Sequence, residues 1–140
     1  MKAVKKVDHL GIAVKDLQEA LAFYEKTLGI TCTHVEEMPE RGIKVAFLPL
    51  GDVRIELIAP TRDNSEVSRF LETRGSGIHH ICFEAPDAQA AVDGLKAAGV
   101  RMVDETLKPG AHHTQVAFVH PKSTCGVLIE LAQHPKDHHA

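Results

Sequence analysis

The sequence predicts an α+β fold of two tandem βαβββ modules, which form a curved, cup-like mixed sheet with helices on its outer face. The first observation behind this prediction is an internal repeat, because segments of the first half recur in the second half in the same order. The second is hydrophobic periodicity. Apolar residues alternate in some segments, as in half-buried strands, and follow helical spacing in others.

Four pairs of matching segments mark the repeat. Residues 7–14 resemble residues 78–85, which aligns His9 with His80, and Asp16 aligns with Asp87 at the same offset of 71 residues. The tripeptide Val-Ala-Phe recurs at this offset, and the tripeptide Ile-Glu-Leu, around Glu56 and Glu130, recurs at an offset of 74. We therefore expect one domain, residues 1–140, with a first module at about 5–60, a linker at about 61–77, a second module at about 78–133 and a polar tail at 134–140.

The first module is expected to consist of a strand, a helix and three further strands. In the first strand, residues 7–14, the apolar residues Leu10 and Ile12 alternate with smaller or polar ones. Asp16 is the expected helix N-cap, because its carboxylate can accept a hydrogen bond from a backbone N–H of the first turn. Gly29 marks the end of this helix. The later strands are predicted at about 31–36, 43–50 and 53–58.

The second module is expected to repeat this scheme after a short helical linker at about 66–74. Its first strand is predicted at 78–84 and its helix at 88–98, with Gly99 as the stop signal. The three remaining strands are predicted at about 101–105, 115–120 and 126–132.

Composition and charge exclude several classes of protein. The apolar fraction of 44% and the charged fraction of 25% are ordinary for a globular domain, and the net charge of −3 argues against a nucleic-acid partner. The N-terminal residues lack the apolar core of a signal peptide, and no apolar stretch approaches the roughly 20 residues that span a bilayer. Three cysteines without Cys-x-x-Cys spacing are typical of free thiols in a reducing compartment. We therefore expect a cytoplasmic protein that does not associate with membranes.

Four polar residues interrupt the apolar strand patterns at equivalent positions of the two modules: His9, Glu56, His80 and Glu130. Because successive side chains of a strand face opposite sides, each lies on the face turned away from its module's helix. A carboxylate there is costly unless it is paired, hydrogen-bonded or bound to metal. Two imidazoles and two carboxylates suit a divalent ion such as Co²⁺, Mn²⁺, Zn²⁺ or Ni²⁺, with positions left open for substrate. A structural role for each residue is the alternative, which their symmetric recurrence disfavours.

The other histidines are expected to have structural or solvated roles. By strand parity His79 faces away from His80. His112 and His113 fall in a loop, where we expect them to be solvated polar residues. The alternative is that they approach the pocket. His120 ends a strand, where a turn role is equally consistent with the pattern. The polar tail contributes solvated histidines, which are His134, His138 and His139.

Three motifs carry a resemblance to a known family. They are Val-Asp-His-Leu-Gly-Ile-Ala-Val at 7–14, Gly-Ile-His-His-Ile-Cys-Phe-Glu at 77–84, and His-Pro-Lys-Ser at 120–123 with Gly-Val-Leu-Ile-Glu-Leu at 126–131. Over nearly its whole length the chain resembles the methylmalonyl-CoA epimerase family of the vicinal-oxygen-chelate superfamily, to which the glyoxalase and bleomycin-resistance proteins belong. The first motif occurs across that superfamily, whereas the other two together are fairly specific to the epimerases.

The resemblance implies an isomerase that interconverts 2R- and 2S-methylmalonyl-CoA by proton transfer at carbon 2 through a metal-stabilised enolate. It implies one divalent ion per chain, with His9, Glu56, His80 and Glu130 as ligands, and a homodimer. Some members carry a catalytic carboxylate at the position of Val45 and Gln at that of Glu56. Valine cannot transfer a proton, so we expect Glu56 and Glu130 to act as two bases on opposite sides of the metal.

The CoA phosphates need cations, and the candidates are Lys122 and Ser123 of the His-Pro-Lys-Ser motif, followed by Arg41, Lys44 and Arg54. The nearest alternative function is a glyoxalase I-type lactoylglutathione lyase, which the His-Pro-Lys-Ser motif disfavours. A metal-free small-molecule binding protein of the same fold is a second alternative, disfavoured by retention of all four ligands. An Fe²⁺ dioxygenase is a third alternative, disfavoured because a fourth protein ligand, Glu56, would crowd its O₂ site.

Overall fold

The computed structural model describes residues 2–136. The chain divides into two compact units: the first unit spans residues 9–79, and the second unit combines residues 2–8 with residues 80–136. Each unit contains helical segments and four strands in mixed orientation, which confirms the predicted α+β class. The module limits inferred from the repeat stay a prediction. Among the described residues, no helix combines the length and the apolarity needed to cross a lipid bilayer.

The first unit has the strand and helix order that the sequence predicts. Its elements are β1 (Lys6–Ala13, whose first residues belong to the second unit), α1 (Leu17–Leu21), β2 (His34–Met38), β3 (Ile43–Leu50), β4 (Val53–Pro60) and α2 (Glu66–Arg74). The strands lie in the order β2-β3-β4-β1. β3 is antiparallel to both neighbours, whereas β4 is parallel to β1. The predicted linker helix is α2.

Helix α1 begins at its predicted cap. The side chain of Asp16 accepts a hydrogen bond from the backbone N–H of Glu19 at 3.1 Å, and Leu17 and Leu21 are buried against β3 and β4 residues of the core. The helix continues as a π-helical turn, Ala22–Thr27, in which Leu28 N donates to Phe23 O. The π-helical turn moves Leu28 away from the apolar face on which regular α-helical spacing places it. Leu28 is 54% exposed.

The second unit repeats the arrangement. Its elements are β5 (Gly77–Glu84, whose first residues belong to the first unit), α3 (Ala88–Ala97), β6 (Lys108–Pro109), β7 (Gln115–Val119) and β8 (Ile129–Gln133). The order is β5-β8-β7-β6, with β5 parallel to β8 and the other pairs antiparallel. Asp87 caps α3 by accepting from Ala90 N at 3.0 Å, as Asp16 does for α1.

The register of the strands is duplicated as well as their order. In the first unit Glu56 of β4 stands opposite Gly11 on one side and Phe47 on the other. In the second unit Glu130 of β8 stands opposite Cys82 and Phe118, which are the repeat equivalents of these two residues. The repeat seen in the sequence therefore places the two glutamates at the same position of two similar sets of four strands.

The strand predicted at 101–105 is wrong. Only an isolated bridge between Met102 and Val119 forms there, and the outer strand is the short β6. The reason is Asp104, whose carboxylate accepts the hydrogen bond of Phe118 N at 2.9 Å. Phe118 O in turn accepts from the amides of both Val103 and Asp104. A side chain thus takes the place of a strand backbone. β8 also begins later than predicted, because Cys125 and Gly126 have positive φ angles, which are incompatible with a strand.

Replacing Asp104 by Ala is expected to destabilise the protein by about 1.5–3 kcal/mol, the usual contribution of a hydrogen bond to a charged group. The change removes the acceptor of Phe118 N and the partner of Lys108, whose Nζ lies 3.3 Å from the carboxylate. Asp104→Asn, which keeps an acceptor oxygen, is the matched control and should lose less. Urea unfolding measures both, and equal midpoints for wild type and Asp104→Ala would contradict this account.

Candidate active site

His9 and Glu56 form the first His–Glu pair, which lies within the first unit. His9 Nδ1 is 3.3 Å from Glu56 Oε2, and the two side chains are only 7% and 5% exposed. Leu57 and Ile55, the neighbours of Glu56, pack in the core beneath α1. The strand alternation therefore directs Glu56 to the opposite face of the sheet, as predicted.

Arg54 joins this pair. It stands directly opposite His9 in the pairing of β1 with β4. Its Nε and Nη2 atoms donate to Glu56 Oε2 at 2.9 and 2.7 Å, and Nη2 lies 3.4 Å from His9 Nδ1. The guanidinium also lies over the ring of Phe47, 5.7 Å from its centroid. Sequence reasoning offered Arg54 as a CoA contact and missed this arrangement, although its position two residues before Glu56 on one strand was a usable signal.

His80 and Glu130 form the second His–Glu pair, which lies within the second unit. His80 Nε2 is 3.0 Å from Glu130 Oε1, and the side chains are 5% and 7% exposed. The imidazole meets the ring of Phe118 edge-on at 5.8 Å. Leu128 stands at the repeat position of Arg54, so this strand position brings no guanidinium to the second pair.

The donor atoms of both pairs suit a divalent metal ion. Imidazole nitrogens and carboxylate oxygens bind such ions at about 2.0–2.2 Å, so two of them in adjacent coordination positions lie about 3.0 Å apart. The separations in the two pairs, 3.3 and 3.0 Å, are close to that value. Burial is consistent with a metal, because a buried carboxylate requires a cation or hydrogen-bond donors, a requirement that Arg54 meets for Glu56 in this structure. The residues present therefore fit the metal that the family resemblance implies.

The predicted CoA contacts lie in a 3₁₀ turn, Pro121–Ser123. Lys122 is exposed, and its backbone N–H donates to His120 Nδ1 at 3.0 Å. The hydroxyl of Ser123 accepts from Arg101 N at 2.9 Å, so it holds the turn in place. Partial burial, together with the positive charges of Arg101 and Lys122, lowers the pKa of His120 below its ordinary value. His120 thus has the turn role that the sequence left open.

His112 and His113 lie in the loop between β6 and β7, both with a φ angle of 62°. This left-handed conformation is costly for residues other than glycine and is often found at functional sites. Thr114 braces the loop by donating from its hydroxyl to Ala111 O at 2.7 Å. At Gly110 a Cβ would lie 2.6 Å from the Thr114 hydroxyl, so only glycine fits.

The tail prediction for His134 is wrong. Its Nε2 atom lies 2.6 Å from Asp8 Oδ1, and its side chain is only 10% exposed, because the end of β8 brings it against β1 residues of the second unit. His138 and His139 lie outside the described residues. His79 packs edge-on against Phe70 of α2 at 5.0 Å, a structural contact.

The sequence model of the Glyoxalase/Bleomycin resistance protein/Dioxygenase superfamily matches residues 8–118. The mitochondrial methylmalonyl-CoA epimerase of Homo sapiens is 41% identical over 129 residues, which covers 91% of this chain and 73% of the relative. The ethylmalonyl-CoA/methylmalonyl-CoA epimerase of Cereibacter sphaeroides is 42% identical over 132 residues, which covers 93% of this chain and 98% of the relative. These similarities confirm the resemblance drawn from the motifs.

Solved structures agree with the sequence relatives. The methylmalonyl-CoA epimerase of Mycobacterium tuberculosis has a TM-score of 0.92 at 37% identity, covering 97% of this chain and 93% of that one. A variant of the Streptomyces coelicolor methylmalonyl-CoA epimerase, in complex with 2-nitronate-propionyl-CoA, has a TM-score of 0.89 at 34% identity, covering 93% and 97%. The chain therefore belongs to the Glyoxalase/Bleomycin resistance protein/Dioxygenase superfamily and is a homologue of its methylmalonyl-CoA epimerases, which are isomerases of the racemase and epimerase class.

Proposed function

We propose that this protein is a metal-dependent epimerase that interconverts 2R- and 2S-methylmalonyl-CoA. The observation that carries the proposal is the duplicated His–Glu pair, since each unit holds one buried imidazole and one buried carboxylate at matching strand positions. Epimerisation needs one base to remove the proton at carbon 2 and an acid to return it to the other face. Homology to the epimerases supplies the substrate class, an acyl-CoA.

His9, Glu56, His80 and Glu130 are the proposed ligands of one divalent ion per chain. Nitrogen and oxygen donors accept Co²⁺, Mn²⁺, Zn²⁺ or Ni²⁺. When bound, the ion supplies Lewis-acid stabilisation of the negative charge that develops on the substrate oxygens. The spacing and burial of the donor atoms in each pair support this assignment.

Glu56 and Glu130 are also the proposed bases, and each would leave its ligand position while it carries the proton. One of them, ionised, takes the proton of carbon 2 and becomes a carboxylic acid, while the electron pair of the broken C–H bond moves toward the thioester oxygen. The other, protonated at the start, returns a proton to the opposite face and becomes ionised. One turnover exchanges the protonation states of the two glutamates, so the reverse reaction begins from the product state. Val45 is buried in β3 and has no acidic group, which leaves the second role to Glu56.

Lys122 and Ser123 are the proposed contacts of the CoA phosphates. The exposure of Lys122 leaves its ammonium in reach of a polyanion, and the bond of Ser123 to Arg101 N keeps the turn fixed. A homodimer and a cytoplasmic location also stay predictions. The human relative's name places that protein in mitochondria.

The function is tested by incubating the purified protein with 2S-methylmalonyl-CoA and separating the two epimers. We expect conversion to an equal mixture, because the epimers differ only at carbon 2 of the acyl group. The hemithioacetal of methylglyoxal and glutathione is the comparison substrate. Isomerisation of the hemithioacetal without epimerisation of methylmalonyl-CoA would replace the proposed function with that of a lactoylglutathione lyase.

A further inference from the structure

We propose that Arg54 is the resident counter-cation of the first His–Glu pair and that a divalent ion must displace it in order to bind Glu56 Oε2 together with His9 Nδ1. This inference rests on the proposed metal site and deepens it. It makes Arg54 a positioning residue that sets the metal affinity of the protein, rather than a CoA contact.

In the metal-free protein, Arg54 stabilises the negative charge of Glu56. Glu56 is 5% exposed, and an ionised carboxylate in that setting is costly without a compensating cation. Arg54 compensates it, because Nε and Nη2 both donate to Oε2, at 2.9 and 2.7 Å. The ring of Phe47 supports the guanidinium from one side. Arg54 thus stabilises the protein in which Glu56 has no metal.

An ion bound to both Glu56 and His9 would lie close to the Arg54 guanidinium. Arg54 Nη2 lies 2.7 Å from Glu56 Oε2 and 3.4 Å from His9 Nδ1, and those two atoms are 3.3 Å apart. An ion bound to both atoms at about 2.1 Å would lie within about 4 Å of Nη2, whichever side it occupied. A divalent ion and a guanidinium repel at that separation, and the burial of His9 and Glu56 limits screening by solvent. The Arg54 side chain is 19% exposed, so it has a route into solvent.

The Arg54–Glu56 contact and metal binding are thermodynamically linked. A contact made only in the metal-free protein lowers the apparent affinity for the ion by the factor with which it stabilises that state. Removing the guanidinium should therefore lower the stability of the metal-free protein against unfolding. The same change should raise the affinity of the protein for the ion. If Arg54 instead remained on Glu56 and oriented it for the ion, its removal would weaken metal binding, so the two possibilities predict opposite signs.

The test compares wild type with Arg54→Gln by calorimetric titration with Co²⁺ and Mn²⁺ and by thermal unfolding with chelator or with saturating metal. We expect the dissociation constant to fall at least about tenfold, equivalent to about 1.4 kcal/mol. The unfolding temperature should fall in chelator and stay unchanged in saturating metal. Arg54→Lys, which keeps a charge without the planar fork, should tighten binding less and provides the measurement if Arg54→Gln does not fold.

Arg41→Gln is the matched control. It removes another Arg–Glu ion pair of the first unit, with Glu66 at 2.9 Å, and should leave the dissociation constant unchanged. Weaker or unchanged metal binding in Arg54→Gln would overturn the role of Arg54 alone. A wild-type protein that binds none of the ions would overturn both this role and the proposed metal site.

Discussion

Replacing Glu130 by Gln is expected to slow epimerisation of methylmalonyl-CoA by about 10²- to 10⁴-fold, the range that general acid–base groups contribute. The amide occupies nearly the same volume and can still accept a hydrogen bond, but it cannot take up or return a proton at neutral pH. Glu130 is buried, with His80 Nε2 3.0 Å from its carboxylate. Initial rates of epimer conversion from both directions measure the effect.

Glu84→Gln is the control for this variant. Glu84 also lies in the second unit, at the end of β5, where its carboxylate is 3.9 Å from Lys5 Nζ. Its replacement removes one negative charge from the same unit without touching either His–Glu pair, and the rate should stay near that of wild type. A Glu130→Gln enzyme with a near-normal rate would eliminate Glu130 as a base.

Replacing Glu56 by Gln is expected to slow inversion by a similar factor, about 10²- to 10⁴-fold. Proton exchange on one face of carbon 2 should be much less affected. With two bases, loss of one blocks delivery of a proton to one face, while the remaining glutamate can still remove and return a proton on its own face. Deuterium from the solvent should therefore enter carbon 2 of one epimer much faster than the epimers interconvert. Nuclear magnetic resonance of the substrate in deuterated water distinguishes the two rates.

Metal content must be measured beside this rate, because Glu56 is also a proposed ligand. Glu66→Gln serves as the control, since it removes the carboxylate of a different Arg–Glu pair in the first unit. Near-normal metal content combined with near-normal inversion in Glu56→Gln would remove Glu56 from the proton transfer and leave the second base to be found elsewhere.

Local sequence patterns were sufficient to predict much of the fold. Asp16 and Asp87 begin their helices because an N-cap depends on residues adjacent in the chain. The strand alternation around Glu56 and Glu130 depends only on parity, and the apolar neighbours of both glutamates pack against the helices as that parity predicted.

Contacts between residues far apart in the sequence could not be predicted from local sequence patterns. Arg54 meets His9 because β1 pairs with β4 in one register, which no local pattern specifies. His134 reaches Asp8 across 126 residues of sequence, and a polar tail gives no sign of such a partner. The strand predicted at 101–105 does not form, because the Asp104 side chain accepts the hydrogen bond of Phe118 N. In a regular strand a backbone carbonyl would accept that bond.

The role of the metal in epimerisation is tested by following deuterium at carbon 2 of 2S-methylmalonyl-CoA in deuterated water. The protein is stripped by a chelator and then resupplied with Co²⁺, Mn²⁺, Zn²⁺ or Ni²⁺. The proposed mechanism predicts that stripping abolishes both exchange and inversion and that at least one ion restores them together. Undiminished exchange and inversion in protein shown to be free of metal would contradict the metal's role. The absence of exchange with every ion would contradict the epimerase itself.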